Sequence, residues 1–198
     1  MTLPLCVRID AEDQRSRQAL LDDGWREIEV LETWETAIDY THYMNLGFPT
    51  TDRFGDIKME DFEKLAVESF TYDRLHADPD VSKEDADQAK RDWVRRVFAT
   101  SGGHQRIFGY PGDDGDLAGF LIVKVDADAV VIDLLAVAES KRGRGIGRSL
   151  VSMALKQFPN RRFLRAGTQR TNEPAARFYA SLGMRVVKTQ RTLHKDAP

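Results

Sequence analysis

One stretch constrains this chain more than any other: VVIDLLAV (130–137), then AESKRGRG, then IGRSLVSMALKQF ending at Phe158. The first segment is β-branched and almost continuously apolar, which suits a strand buried on both faces. In the last, Ile146, Leu150, Ala154 and Phe158 recur every four residues with Val151 and Leu155 beside them. That is the pattern of an amphipathic helix, and Pro159 stops it. Between the two, three glycines and three arginines share the seven positions 142–148. A strand that passes through glycines into a helix gathers unsatisfied backbone N–H groups and the positive end of the helix dipole at one point. This is the local geometry for holding a phosphate. Arg142, Arg144 and Arg148 add fixed positive charge there.

Two phosphate-binding patterns fail on single letters. A dinucleotide fingerprint beginning at Gly143 requires glycine at position 148, where Arg148 stands. A P-loop counted back from Gly147 requires glycine at 142 and lysine at 148, and both are arginine. The rest of the chain bounds the partners. Lys and Arg number 29 against 32 Asp and Glu, a net charge of −3, so the arginines form a local cluster and no general nucleic-acid partner is expected. The single Cys6 leaves no internal disulfide framework or cysteine metal cluster and fits a reducing compartment. His42, His76, His104 and His194 are scattered without ligand spacing, so no metal site is expected. No apolar run approaches the roughly 20 residues that span a bilayer, and no leader peptide is visible. The expectation is a cytoplasmic protein with no membrane partner.

Periodicity orders the remaining elements. Short strands at 3–8 and 25–32 flank a helical stretch at 11–24. A loop with Gly47, Pro49 and Gly55 suggests a boundary near residue 50, so that 1–50 reads as a small N-terminal lobe and 51–198 as the main domain. A weakly marked strand near 54–58 precedes helices at 59–70 and 82–98, the second opened by Ser82 and Asp85 as a capping box. Strands follow at 105–110, 117–125 and 130–137, then the helix at 146–158 and a strand at 162–169. Asn172 and Pro174 start a last helix, Gly183 closes it, and 184–194 is the final strand.

The hexapeptide Arg142-Gly143-Arg144-Gly145-Ile146-Gly147 resembles the pyrophosphate-binding loop of the GCN5-related N-acetyltransferases, the GNAT superfamily, which bind acetyl-coenzyme A. TNEPAARFYASLGM (171–184) resembles the second signature of that superfamily, and IDLLAV precedes the loop as it does there. The resemblance implies an α/β (α+β) fold: a central mixed, mostly antiparallel sheet, splayed between its fourth and fifth strands and flanked by helices. It implies acetyl-CoA as co-substrate, with the backbone of Leu135, Ala136 and Val137 lining the thioester. Arg142, Gly143, Arg144, Gly145, Ile146, Gly147 and Arg148 would hold the pyrophosphate, and Asn172 and Ala175 also fall on the cofactor side.

The implied reaction is attack of an amine on the thioester. Tyr179 occupies the position that supplies a proton to the departing thiolate in that superfamily; by side-chain type alone it is a packed core tyrosine. The base stays open. Asp133, the one charge inside the apolar strand, shares a face with Leu135 and Val137 on simple alternation. An isolated buried carboxylate titrates nearer neutrality, which suits a base; the other reading is that Asp133 pairs with an arginine or caps a neighbouring element.

FTYDRLHADPDVSKEDADQAKRDWVRRV (70–97), with IDLLAV and GTQRTN, resembles the dTDP-fucosamine N-acetyltransferases, which acetylate a nucleotide-linked 4-amino-4,6-dideoxygalactose. Leu75 stands where that group carries phenylalanine. The resemblance places Arg74 and His76 at the acceptor end, and the other reading is a helix-entry ion pair with Asp73 or Asp78. A homodimer is expected by resemblance alone. Another small amine or a protein N-terminus as acceptor, and a non-catalytic CoA-binding module, are the alternatives.

Overall fold

The computed structural model describes residues 3–41, 57–69, 72–100, 104–113 and 115–196. The boundary expected near residue 50, and residues 54–56 of the weakly marked strand, lie outside them. The elements run β1 (Leu5–Asp10), α1 (Gln14–Asp22), β2 (Arg26–Ala37), α2 (Met59–Ser69), α3 (Lys83–Thr100), β3 (Gln105–Pro111), β4 (Leu117–Val125), β5 (Ala129–Val137), α4 (Ile146–Gln157), β6 (Phe163–Gln169), α5 (Glu173–Ser181) and β7 (Arg185–Lys195). From α2 onward this is the order read in the sequence. The chain groups into two compact units, Met1–Glu35 with Thr71–Ala86 and Gly167–Pro198, and Thr36–Phe70 with Asp87–Ala166.

The first unit is organised around β7. β1 pairs antiparallel with it from Leu5–Lys195 to Asp10–Gln190, and β2 pairs with its other edge from Arg26–His194 to Glu35–Arg185. Polar side chains tie α1 and β7 to β2: Arg17 and Arg191 both reach Glu27, and the Thr192 hydroxyl donates to Glu29 at 3.0 Å. Leu193 and His194 are fully buried. Ser82 and Asp85 form the expected cap, the Asp85 N–H donating to the Ser82 hydroxyl at 3.1 Å. Asn172 accepts from the Ala175 N–H at 3.2 Å and so starts α5.

In the second unit the strand order is β6-β5-β4-β3. β3, β4 and β5 pair antiparallel, and β6 joins β5 in parallel. α2 and α3 cover one face. Phe62, Leu65 and Ala66 of α2 and Val94 and Val97 of α3 pack with Phe120, Ile122, Leu134 and Ala136 of the strands. Arg95 grips Glu63 through two hydrogen bonds of 2.8 Å. α4 lies on the other face and buries Leu150, Val151 and Leu155, as its four-residue period predicts. Gly119 permits this approach: a Cβ there would come within 3.0 Å of the Ile146 side chain and 2.9 Å of the Ala136 carbonyl. The architecture is the mixed, mostly antiparallel α/β arrangement flanked by helices that the resemblance implies.

One expectation is overturned within β5. Ile122 of β4 faces Leu134, but its neighbour Val123 faces Ile132, so Asp133 is the extra residue of a β-bulge. Lys124 follows Phe120 and Ile122 by alternation onto the α2–α3 face. It holds Asp133 Oδ1 at 2.8 Å, while Gln105, its cross-strand partner, donates to Oδ2 at 3.4 Å. Asp133 therefore lies with Leu134 and Ala136, and does not share the face of Leu135 and Val137. A bulge sets two consecutive residues against one partner, and parity counted along the strand does not survive it.

Candidate active site

The β5–β6 ladder covers Ala129–Phe163 to Ile132–Ala166 and stops there, whereas β5 continues to Val137. Along Asp133–Val137 only β4 pairs with β5 among the described residues of this unit. A strand paired on one edge leaves every second N–H and C=O open on the other. Leu135, Ala136 and Val137, the expected thioester-lining residues, sit on this stretch.

The strand then enters a turn that only glycine accommodates easily. Gly143 and Gly145 have φ of 76° and 79°, the left-handed region, and Gly145 is the N-cap of α4. Among the described residues nothing lies within 4 Å of a Cβ at either position, so backbone conformation rather than space demands glycine. Gly145→Ala is expected to lower the unfolding free energy by about 1–2 kcal/mol, read from a urea titration. The first helical bond of α4 runs from the Ser149 N–H to the Gly145 carbonyl at 3.0 Å. The amides of Ile146, Gly147 and Arg148 come before it, at the positive end of the helix. Arg142 closes the turn by donating from Nε to the Val137 carbonyl at 3.1 Å, and Arg144 is exposed. This donor set, all N–H groups and cations, fits a pyrophosphate. A cavity of about 610 Å³ in the same unit is lined by Thr100, His104, Gln105, Lys124, Val125, Asp126 and Val131, towards the other end of β5. It includes none of the residues expected to hold ligand.

In the first unit, Tyr179 sits on α5 with 7% of its surface exposed. Burial pushes its phenol up to about 12, so the hydroxyl is a protonated donor throughout the physiological range. It has no hydrogen-bond partner among the described residues. Asn172 and Ala175 form the cap of the same helix.

The DRLHADP segment is engaged within this unit. His76 Nδ1 lies 2.9 Å from Asp73 Oδ2, one of the ion pairs weighed from the sequence. Arg74 instead reaches His194, its guanidinium 3.2 Å from Nε2, and His194 Nδ1 lies 2.6 Å from Asp78 Oδ2. Arginine can only donate, so Nε2 accepts and Nδ1 carries the proton toward Asp78. Arg26 approaches the same carboxylate at 3.5 Å. His194 is the residue that sequence reasoning passed over: only the pairing of β7 beside the 72–82 turn gives it a role.

Among the described residues no group of three or more His, Cys, Asp or Glu is placed to hold a metal ion, and no helix is long and apolar enough to cross a membrane. Cys6 is exposed on β1.

An interrupted parallel ladder, a left-handed glycine turn and a helix start behind it stand together in the second unit. Residues 59–184, more than half of the chain, match the family model described as "Acetyltransferase (GNAT) family", and the chain belongs to that family. The spore coat polysaccharide biosynthesis protein SpsD of Bacillus subtilis (strain 168) is 29% identical over 122 residues, 61% of this chain and 41% of that one. Among solved structures, a tandem GNAT protein from the clavulanic acid biosynthesis pathway has a TM-score of 0.63 at 16% identity, covering 98% of this chain and 65% of its own. A GCN5-related N-acetyltransferase from Sphaerobacter thermophilus has 0.61 at 16% identity, covering 98% and 60%. The chain spans less than two thirds of each of these relatives. The solved structures share its fold.

Proposed function

We propose that this protein is an acetyl-CoA-dependent N-acetyltransferase whose acceptor is the primary amine of a nucleotide-linked amino sugar. The observation that carries the reading is the end of the β5–β6 ladder at Ile132, short of the end of β5 at Val137, on the strand that leads into the left-handed turn at Gly143 and Gly145. Acetyl-CoA supplies the acetyl group as an activated thioester. Backbone groups of Leu135, Ala136 and Val137 would hold the acyl end, and the amides of 143–148 with Arg144 the pyrophosphate. A fixed N–H facing the oxygen where charge develops is worth roughly 3 kcal/mol. Tyr179 would give its proton to the thiolate as it leaves, and burial keeps that proton in place.

Asp133 takes no step in this proposal, because Lys124 and Gln105 hold its carboxylate on the other face of the strand. The amine loses its proton to solvent water. Similarity to a polysaccharide biosynthesis protein supports a sugar acceptor. Arg74 and His76, bound to His194 and Asp73, would shape the segment near the acceptor rather than reach for it as free charges.

The test is release of free thiol from acetyl-CoA over a panel of dTDP- and UDP-linked amino sugars, polyamines and peptides. Turnover is expected on a dTDP-linked amino-dideoxyhexose. Silence on every sugar with turnover on another amine moves the acceptor to that class. CoA binding without turnover on any acceptor reduces the protein to a binding module.

A further inference from the structure

We propose that the indole N–H of Trp34 is a ligand-binding donor, hydrogen-bonding a carbonyl or hydroxyl oxygen of a bound substrate beside the Tyr179 hydroxyl. The inference rests on the reading of Tyr179 as part of the active site.

Three observations within the first unit carry it. The Trp34 Nε1 atom is buried and has no hydrogen-bond partner among the described residues. Indole N–H is a donor only and cannot be relieved by rotating into another role. A buried donor left unmade costs about 1–3 kcal/mol, so folded proteins rarely keep one without a reason. Trp25, by contrast, donates to Asp23 at 3.1 Å. Secondly, the Trp34 ring lies 6.2 Å from that of Tyr179, tilted by 48°. Two donors without protein partners among the described residues thus belong to rings in contact. Thirdly, the β2–β7 register slips at this point: Thr33 faces Lys188 and Trp34 faces Val186, leaving Val187 as the extra residue. A bulge redirects side chains, and bulges are common beside active sites. Two donors on rings in contact, neither with a partner among the described residues, call for a ligand that brings oxygen.

That oxygen has two sources: the cofactor, through its acetyl or pantetheine amide carbonyls, or the acceptor, through a sugar hydroxyl. The experiment is a 15N-indole NMR titration of the intact chain, whose three tryptophans give three indole signals. Trp34→Phe identifies its signal by loss. The Trp34 proton is expected to move downfield and exchange more slowly on adding ligand. A change with acetyl-CoA and not CoA supports the acetyl carbonyl, and a change with both supports the pantetheine. A change only with dTDP-4-amino-4,6-dideoxygalactose supports the acceptor. A signal unmoved by all three overturns the inference.

A benzothiophene isostere at position 34 keeps the ring contact and removes only the N–H. It should raise the KM or Kd of the responsible ligand about two- to tenfold with folding intact. Unchanged binding by a folded isostere also overturns the inference. If Tyr179→Phe retains full kcat while the Trp34 signal still responds, the catalytic reading of Tyr179 fails and the binding role of Trp34 stands. If Tyr179→Phe loses kcat while the Trp34 signal is unmoved, Trp34 alone is rejected.

Discussion

Tyr179→Phe is expected to lower kcat by about 10²–10⁴-fold, or about 3–5 kcal/mol of barrier, while acetyl-CoA affinity is nearly unchanged. The substitution removes one oxygen and keeps the ring that Trp34 and Phe178 pack against, with centroids 6.2 and 5.8 Å away. Packing is preserved and the proton is lost. The pH dependence follows from burial, which lifts the phenol to about 12. A group that acts as an acid works while protonated, so its contribution is present at neutral pH and fades only as pH rises through about 12. The parent protein should therefore show no fall in kcat from this group between roughly pH 7 and 10. Steady-state kinetics on the parent and variant check both points, and an intact kcat in the variant would leave Tyr179 as a packing residue.

Asp78→Ala is expected to destabilise the fold by about 3–5 kcal/mol. Asp78 and His194 have fully buried side chains 2.6 Å apart, and removing the carboxylate strands the His194 Nδ1–H without an acceptor. Burial alone pushes the Asp78 carboxyl up. The His194 hydrogen bond, the Asp80 amide and Arg26 together outweigh burial and hold it below its ordinary value of 3.8. Because the folded state binds this proton less readily than the unfolded chain, Asp78 stabilises above the ordinary carboxylate range. That contribution is lost as pH falls through the range and below it. Thermal melts of the parent and an Asp78→Asn variant should converge as pH drops from about 6 to about 3. A gap independent of pH would show that the carboxylate charge contributes nothing.

The parts of the site legible in the sequence are those whose cues are local. A β-branched run, glycines that need positive φ and a four-residue apolar period each signal within a few positions, and β5, the turn and α4 follow from them. The direction of Asp133 is not local, because it depends on how β4 pairs with β5. The partner of Arg74 lies 120 residues away on β7. Trp34 reads as an ordinary strand aromatic, since a missing partner for its N–H becomes visible only when its surroundings are assembled. β2 runs on to Ala37, past the end read at residue 32, because β7 supplies pairing through Glu35.

The central place of β7 also bears on how the chain is made. Leu5 faces Lys195 and Arg26 faces His194, so β1 and β2 leave the ribosome long before the strand that joins them exists. Residues 36–70 and 87–166, which make up the second unit, emerge in the meantime and can begin to collapse around Phe62 and Phe120. Two nascent strands wait with open edges, which are templates for pairing with a neighbouring nascent chain. Translation speed and chaperone access during that interval should then govern the yield of active protein more than its equilibrium stability does. β1 and β2 are made well before β7 and are sheltered only when it arrives.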